Sequence, residues 1–309
     1  MPGVRRRQAH RGTRPGDGKH PQHPQHPPRN RPGLGYRRQV PTSPDLAALP
    51  PATRTDLELL QLEGSVIEQR EGCLVVRSPL QPGFHWGNCL HITTGDVEDA
   101  GQWTAVFSDE FPEADWLAVG LHRMPVTDSW QQLGLEPESE DALIRRGAPG
   151  ARPLPRGYTV RAFDGQADWD QLFEADLDER AADVGQADGA YRAFARERER
   201  SRQGLVEQGR LAWFGAFDTA GALACSMGIA VLGEERRLAR YQSVLTSPDH
   251  RRKGLAGHLL GVAAGWAEQQ GAREYVIVAE PTNPAGRLYR SVGFEPTLSC
   301  ASVYRAPQG

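Results

Sequence analysis

Apolar residues are spaced differently in three successive stretches of the chain. From residue 1 to about 54 aliphatic side chains are nearly absent, so no periodic pattern exists there. From Asp56 to about Arg146 short apolar runs begin. Leu57, Leu60 and Leu62 predict a helix, "CLVVRS" from Cys73 a strand and "NCLHI" from Asn88 a second one. Residues 97–109 then predict a helix and "WLAVGL" from Trp116 a third strand. The Pro and Gly of "RRGAPGARPLPRG" mark a boundary near residues 147–157.

Beyond that boundary the pattern reads as one complete domain. "YTVRAF" from Tyr158 is a strand, and residues 169–180 and 191–207 are helical, the second with a densely charged, solvated face. Strands at 211–217, 223–232 and 237–246, joined by Gly-bearing turns, form an antiparallel meander. A helix from about Gly254 to Gln270 puts Leu259, Leu260, Ala263, Trp266 and Ala267 on one stripe. "EYVIVA" (274–279) is a short β-branched strand, residues 283–292 are helical, and Gly293-Phe294 lead to a last strand near 299–304. One echo links the two folded stretches: Gly134-Leu135-Glu136-Pro137 mirrors Gly293-Phe294-Glu295-Pro296, each followed by a strand-like run ending in Arg. The first stretch therefore reads as a degenerate half-copy of the second.

Composition sharpens this division. With 39% hydrophobic residues in 309, the chain can bury two ordinary cores. Residues 1–54 cannot bury enough apolar surface to offset their ordering entropy, and we expect a disordered, basic, Pro/His/Arg-rich tail. Its His20, His23 and His26 read as an unstructured His-rich run and not as a metal site. The net charge of −3 and the lack of a recognition motif argue against nucleic acid as a partner. No apolar run approaches the roughly 20 residues that span a bilayer, and no apolar segment follows the basic N-terminus, so neither a membrane anchor nor a secretory leader is expected. Cys73, Cys89, Cys225 and Cys300 are scattered without metal-ligand spacing, as in reduced, cytoplasmic proteins. Lysine is restricted to Lys19 and Lys253, so arginine clusters need more than their presence to carry meaning.

"TSPDHRRKGLAGHLL" (246–260) carries such a meaning. A strand ends at Thr246, and glycines open a helix after a short turn. The first turn of a helix presents unpaired N–H groups and a partial positive charge to an anion. Gly254 permits positive φ, Gly257 removes a side chain, and Arg251 and Arg252 add charge-assisted donors. The order excludes a P-loop, because Lys253 precedes Gly254, and a dinucleotide fingerprint, because only Gly254 and Gly257 are present.

Arg251-x-x-Gly254-x-Ala256 matches the Q/R-x-x-G-x-G/A signature of the GNAT superfamily of acyl-CoA-dependent N-acetyltransferases, and "NPAGRLYRSVGF" resembles that family's second hallmark. The resemblance covers about residues 156–305. It implies a mixed, largely antiparallel central sheet flanked by helices, an α/β (α+β) fold, with acetyl-CoA as acyl donor and no metal. It also implies specific roles. Val244, Leu245 and Thr246 would pair with the pantetheine arm where the strands at 237–246 and 274–279 splay. Arg251, Arg252, Lys253, Gly254, Leu255, Ala256 and Gly257 would hold the pyrophosphate. Asn283 would bond the arm near the thioester, a backbone N–H near Leu245 would polarise the carbonyl, and Tyr289 would protonate the leaving thiolate. The acceptor would be a primary amine of a small molecule or protein.

The general base is not legible: many family members carry a carboxylate on the strand before the loop, where this chain has Arg240, Gln242 and Ser243. Glu280 follows the splayed strand, with nothing in the sequence directing it to the site. The acceptor pocket falls to residues 169–207 and the first stretch, where Phe84, His85 and Trp86 lie between Gly83 and Gly87. The alternative is a non-catalytic acyl-CoA-binding module. The acceptor and the oligomeric state are not written in the sequence.

Overall fold

The computed structural model describes residues 44–184, 189–233 and 235–307. The tail up to residue 43, with His20, His23 and His26, lies outside the described residues. The expected tail is nevertheless too long at its inner end. Leu46 is buried, and the helix α1 (Pro51–Leu62) begins with Pro in its first turn, where the missing N–H is no loss. Ala52 on that helix is fully buried against Ala142 and Val276. Leu46, Ala52 and Leu57 therefore belong to the core, despite the Pro-rich sequence before them.

The remaining elements follow in order: β1 (Val66–Arg70), β2 (Cys73–Arg77), β3 (Cys89–Ile92), α2 (Ala100–Glu110), β4 (Leu117–Leu121) and β5 (Pro137–Arg146) in the first half. The second half holds β6 (Tyr158–Ala162), α3 (Gln166–Val184), α4 (Gly189–Glu207), β7 (Leu211–Asp218), β8 (Leu223–Leu232) and β9 (Leu238–Thr246). It ends with α5 (Leu255–Gln269), β10 (Glu274–Ala279), α6 (Pro284–Ser291), β11 (Glu295–Pro296) and β12 (Cys300–Arg305). The elements expected from periodicity are present. β1, which shows no apolar alternation, has no counterpart among them.

The strands form one continuous sheet in the order β1-β2-β3-β4-β12-β5-β10-β9-β8-β7-β6. The pairing is mostly antiparallel, and the two parallel pairs, β3 with β4 and β9 with β10, are each bridged by a crossover helix, α2 or α5. The same arrangement thus occurs twice: a meander, a crossover helix, a parallel strand, and then an antiparallel strand beside it. That last strand comes from the other half. β5 pairs along Asp141–Arg146 with β10, while β12 pairs with β4 and with residues 137–140 of β5. Each half therefore completes the sheet of the other.

The repeated tetrapeptide has the same local geometry in both places. Gly134 (φ 71°) and Gly293 (φ 89°) take the left-handed conformation that ends a helical turn. Leu135 N–H donates back to Trp130 C=O (3.0 Å), and Phe294 N–H to Tyr289 C=O (3.1 Å). Trp130 therefore stands in the first half where Tyr289 stands in the second. It is fully buried, with its indole N–H donating to Val97 C=O at 2.8 Å.

The residues between the halves run across α5. A Cβ at Gly261 would lie 2.2 Å from the Ala151 backbone, so only glycine allows that crossing. Gly261→Ala is expected to destabilise the protein by about 1–3 kcal/mol through overpacking, read as a fall of several degrees in a thermal melt. An unchanged Tm would show that the linker is not packed on α5.

Candidate functional site

β9 and β10 separate soon after they meet. Their register runs Glu274–Leu238, Tyr275–Ala239 and Val276–Arg240, and from Tyr241 onward the edge of β9 facing β10 has no strand partner. Opposite this gap β9 carries an irregularity in its pairing with β8, and Ser243 there has φ 42°. A window thus opens through the sheet between β9 and β10, at the place where the family resemblance implies a splay.

On the α5 and α6 face the window leads into a cavity of about 750 Å³. Its wall includes Val244, Thr246, Arg251, Arg252, Gly254, Leu255, Ala256, Gly257, Asn283 and Tyr289, so ten residues expected from sequence are brought to one space. Two others are turned away. Leu245 is buried in the core, and Lys253 reaches out to the Tyr158 hydroxyl, 3.3 Å away. Gly254 has φ 89° at the N-cap of α5, and no side chain caps that helix. The first-turn amides of this 15-residue helix are therefore open to the cavity. Arg251 is exposed and donates through Nε to Thr246 C=O (3.0 Å), which bends its fork back over the end of β9.

The cavity also has a wall that the sequence does not reveal. Arg152 from the linker and Arg287 from α6 line it, together with His250 and Glu179. The space left by Gly257 is filled by Arg152, whose Cδ would sit 3.0 Å from a Cβ there. Gly257 thus makes room for the Arg152 side chain. No local pattern marks Arg152, because its approach depends on the linker crossing α5.

Asn283 caps α6 by accepting from Ala285 N–H at 2.9 Å, which leaves its amide N–H2 group as donor. Tyr289 is buried, and burial followed by the neighbouring Cys225 pushes its phenol well above the ordinary value. It lines the cavity and carries no hydrogen bond from its hydroxyl among the described residues. A phenol of this kind is neutral at physiological pH, with its proton available to the cavity.

The opposite face of the window collects carboxylates. Strand alternation puts Glu140 on the same side as Ala142, which packs under α1 with Val276. One step beyond the last pair, Ala279–Asp141, Glu280 falls opposite Glu140. Arg240, at the point of separation, is buried and bonds to Thr55 Oγ1 (3.2 Å) and Asp56 Oδ1 (2.8 Å) of α1. Desolvation raises the pKa of Asp56 against the pull of Arg240. Glu140 is open to solvent at its surface, yet the protein around it raises its carboxyl, first by desolvation and then by the charge of Asp56, with Arg240 opposing. Asp56 is tied to Arg240, whereas Glu140 holds no ion pair among the described residues. Asp56 and Glu140 come from the first half, so the strand before the loop gives no hint of them.

Among the described residues the crossover helix of the first half starts differently from α5. Between β3 and α2 the chain reads Thr93-Thr94-Gly95-Asp96-Val97-Glu98-Asp99, and the Asp99 carboxylate itself caps α2 through Gln102 N–H at 3.0 Å. Acid charge fills the position that is left open at α5. Among the described residues no cluster of His, Cys, Asp and Glu could hold a metal, and no helix is long and apolar enough to cross a membrane.

Residues 169–294 match the model of the acetyltransferase (GNAT) family. Among solved structures, the chain is similar to a functionally unknown conserved protein from Staphylococcus epidermidis at 10% identity and TM-score 0.58, over 78% of this chain and 93% of that one. It is similar to a GCN5-related N-acetyltransferase from Kribbella flavida at 14% identity and TM-score 0.57, over 84% and 95%. It is also similar to a tandem GNAT protein from the clavulanic acid biosynthesis pathway at 16% identity and TM-score 0.52, over 84% and 98%. At these identities the likeness is one of fold. No curated protein matches the chain.

Proposed function

We propose, on the premise that residues 169–294 are a GNAT acetyltransferase domain, that this protein transfers an acetyl group from acetyl-CoA to a primary amine by direct attack. The observation that carries the reading is the uncapped start of α5, facing a cavity ringed by Arg152, Arg251, Arg252 and Arg287 and continuous with the splay and Tyr289. An anion with a long arm fits such a space: the amides and guanidiniums take the pyrophosphate, and the open edge of β9 at Val244–Thr246 takes the arm. Asn283 donates its amide to that arm. Four free thiols suit a reducing compartment, and we place the enzyme in the cytoplasm.

The acceptor enters from the opposite face. Glu140 takes a proton from the ammonium group, and the freed lone pair forms the bond to the acyl carbon. A backbone N–H near Leu245 stabilises the charge that gathers on the carbonyl oxygen. As the carbon–sulfur bond breaks, its electron pair goes to sulfur, and Tyr289 gives its proton there. As the intermediate collapses the nitrogen sheds its second proton, which restores the Tyr289 phenol, while Glu140 releases the first to solvent, so the products are the amide and the free thiol.

Acetyl-CoA turnover across an amine panel, with CoA binding measured in parallel, tests this reading. Binding without transfer to any amine would favour the module that only holds acyl-CoA. Arg251→Ala is expected to weaken CoA binding by about 1.5–3 kcal/mol, the worth of a charge-assisted bond, without unfolding an exposed site. Unchanged affinity in the folded variant would remove the phosphate from this loop.

A further inference from the structure

On the acceptor face, α4 carries Arg198 and Arg202 one turn apart. Both are half-buried, and among the described residues neither has a carboxylate within ion-pair distance. Arg202 donates to Ser243 Oγ at 2.9 Å, so its fork sits at the irregularity of β9, beside the window. Its guanidinium lies 4.7 Å from the Trp213 ring. Arg198 lies 5.5 Å from the Phe84 ring and 5.6 Å from that of Phe194, and those two rings are 5.3 Å apart.

Two like charges are thus held together in an aromatic setting, and burial and then the charge of Arg198 weaken the hold of Arg202 on its proton. The carboxylates whose charge reaches Arg202, Asp176 and Glu63, stay outside contact distance. An anion between the two forks would relieve the repulsion and satisfy several donors at once. Phe84 comes from the first half, in the aromatic stretch between Gly83 and Gly87 that the transfer chemistry leaves unused.

We propose that the acceptor carries an oxyanion near its amine, and that Arg198 and Arg202 hold this group against Phe84, Phe194 and Trp213. This rests on the acyltransfer reading above and narrows its substrate to small amino acids in the broad sense: molecules with an ammonium and a carboxylate or phosphate. The carboxylates around Arg240 then face the ammonium end, and the paired guanidiniums the anionic end.

Matched substrates test it in the full-length protein. Phenylalanine against phenethylamine gives the carboxylate arm, and O-phosphoethanolamine against ethanolamine the phosphate arm, each with acetyl-CoA. At least one anionic member is expected to exceed its uncharged counterpart in kcat/KM by about 10-fold or more, in line with charge-assisted hydrogen bonds. The arm that does so identifies the oxyanion. In Arg202→Gln and in Arg198→Gln that preference ratio is expected to collapse toward one, with CoA affinity as the control for folding, and Arg202→Lys is expected to restore part of it. Transfer to the amines without any preference for their acidic counterparts would overturn this inference and leave acetyl transfer standing. Transfer neither to these four nor to any other amine tried would overturn both.

Discussion

A protein that begins at residue 156 is expected not to fold, although it retains all of residues 169–294, which match the acetyltransferase (GNAT) family model. The reason lies in the exchanged strands. Without the first half, Glu274–Ala279 of β10 loses its six-residue antiparallel partner in β5, and β12 loses both β4 and β5. An apolar strand with an unpaired edge templates aggregation. The loss of α1 uncovers Val276 and Val278 and removes both partners of Arg240. Leaving a buried charge unpaired costs about 3–5 kcal/mol, a large part of the about 5–15 kcal/mol that stabilises an ordinary domain. Expression of residues 156–309 alone should yield insoluble or non-cooperatively melting material, and co-expression with residues 44–155 should restore a soluble complex. A monomeric 156–309 fragment with a cooperative melt and the CoA affinity of the full chain would show that the exchange is dispensable.

The contrast between these motifs and this dependence shows what is written locally and what is not. The run from Leu255 through β10 to α6 is legible because each element shows its own period, and the glycine at 254 announces the turn into the helix. The proposed anion site is visible in the sequence for the same reason: the donors it would use are consecutive backbone amides and two neighbouring arginines. Strand exchange has no local period. Nothing in Pro137–Arg146 says that half of it will lie beside a strand that begins at residue 274. The carboxylates follow from that exchange. Glu140 reaches the window only because β5 crosses into the other half, and Asp56 only because α1 packs over β10 and binds Arg240. An arginine where a carboxylate is expected leaves the base unassigned in the sequence, yet in the fold that arginine is what draws a carboxylate to the spot. The tetrapeptide echo is the one local trace of the repeat. Its difference, Trp130 against Tyr289, puts an indole bonded to Val97 in the first half where the second has a phenol lining the cavity.

Glu140→Gln is expected to lower kcat/KM by about 10²–10³-fold at neutral pH and to change the shape of the pH profile, with CoA binding unaffected. General bases contribute about 10²–10⁴-fold, and the lower part of that range applies because some amine arrives already deprotonated. A base acts only when ionised, so activity must fall as pH drops through the folded pKa of Glu140. That pKa lies above the ordinary 4.5 because of desolvation and the Asp56 charge. The wild-type acidic limb should therefore sit at higher pH than for a free glutamate. In Glu140→Gln the limb should vanish, and the rate should instead climb with pH toward the pKa of the amine itself. Tyr289→Phe is expected to behave differently. Its phenol is held protonated far above neutrality, so its loss should lower kcat by about 10²-fold, the low end for a general acid, because a thiolate leaves partly unaided. The acidic limb should stay where it is, since Glu140 is untouched. If Glu140→Gln kept the wild-type acidic limb, the base would have to be sought elsewhere around the window. If Tyr289→Phe kept full activity, the tyrosine would be a packing residue of α6, as Trp130 is in the first half.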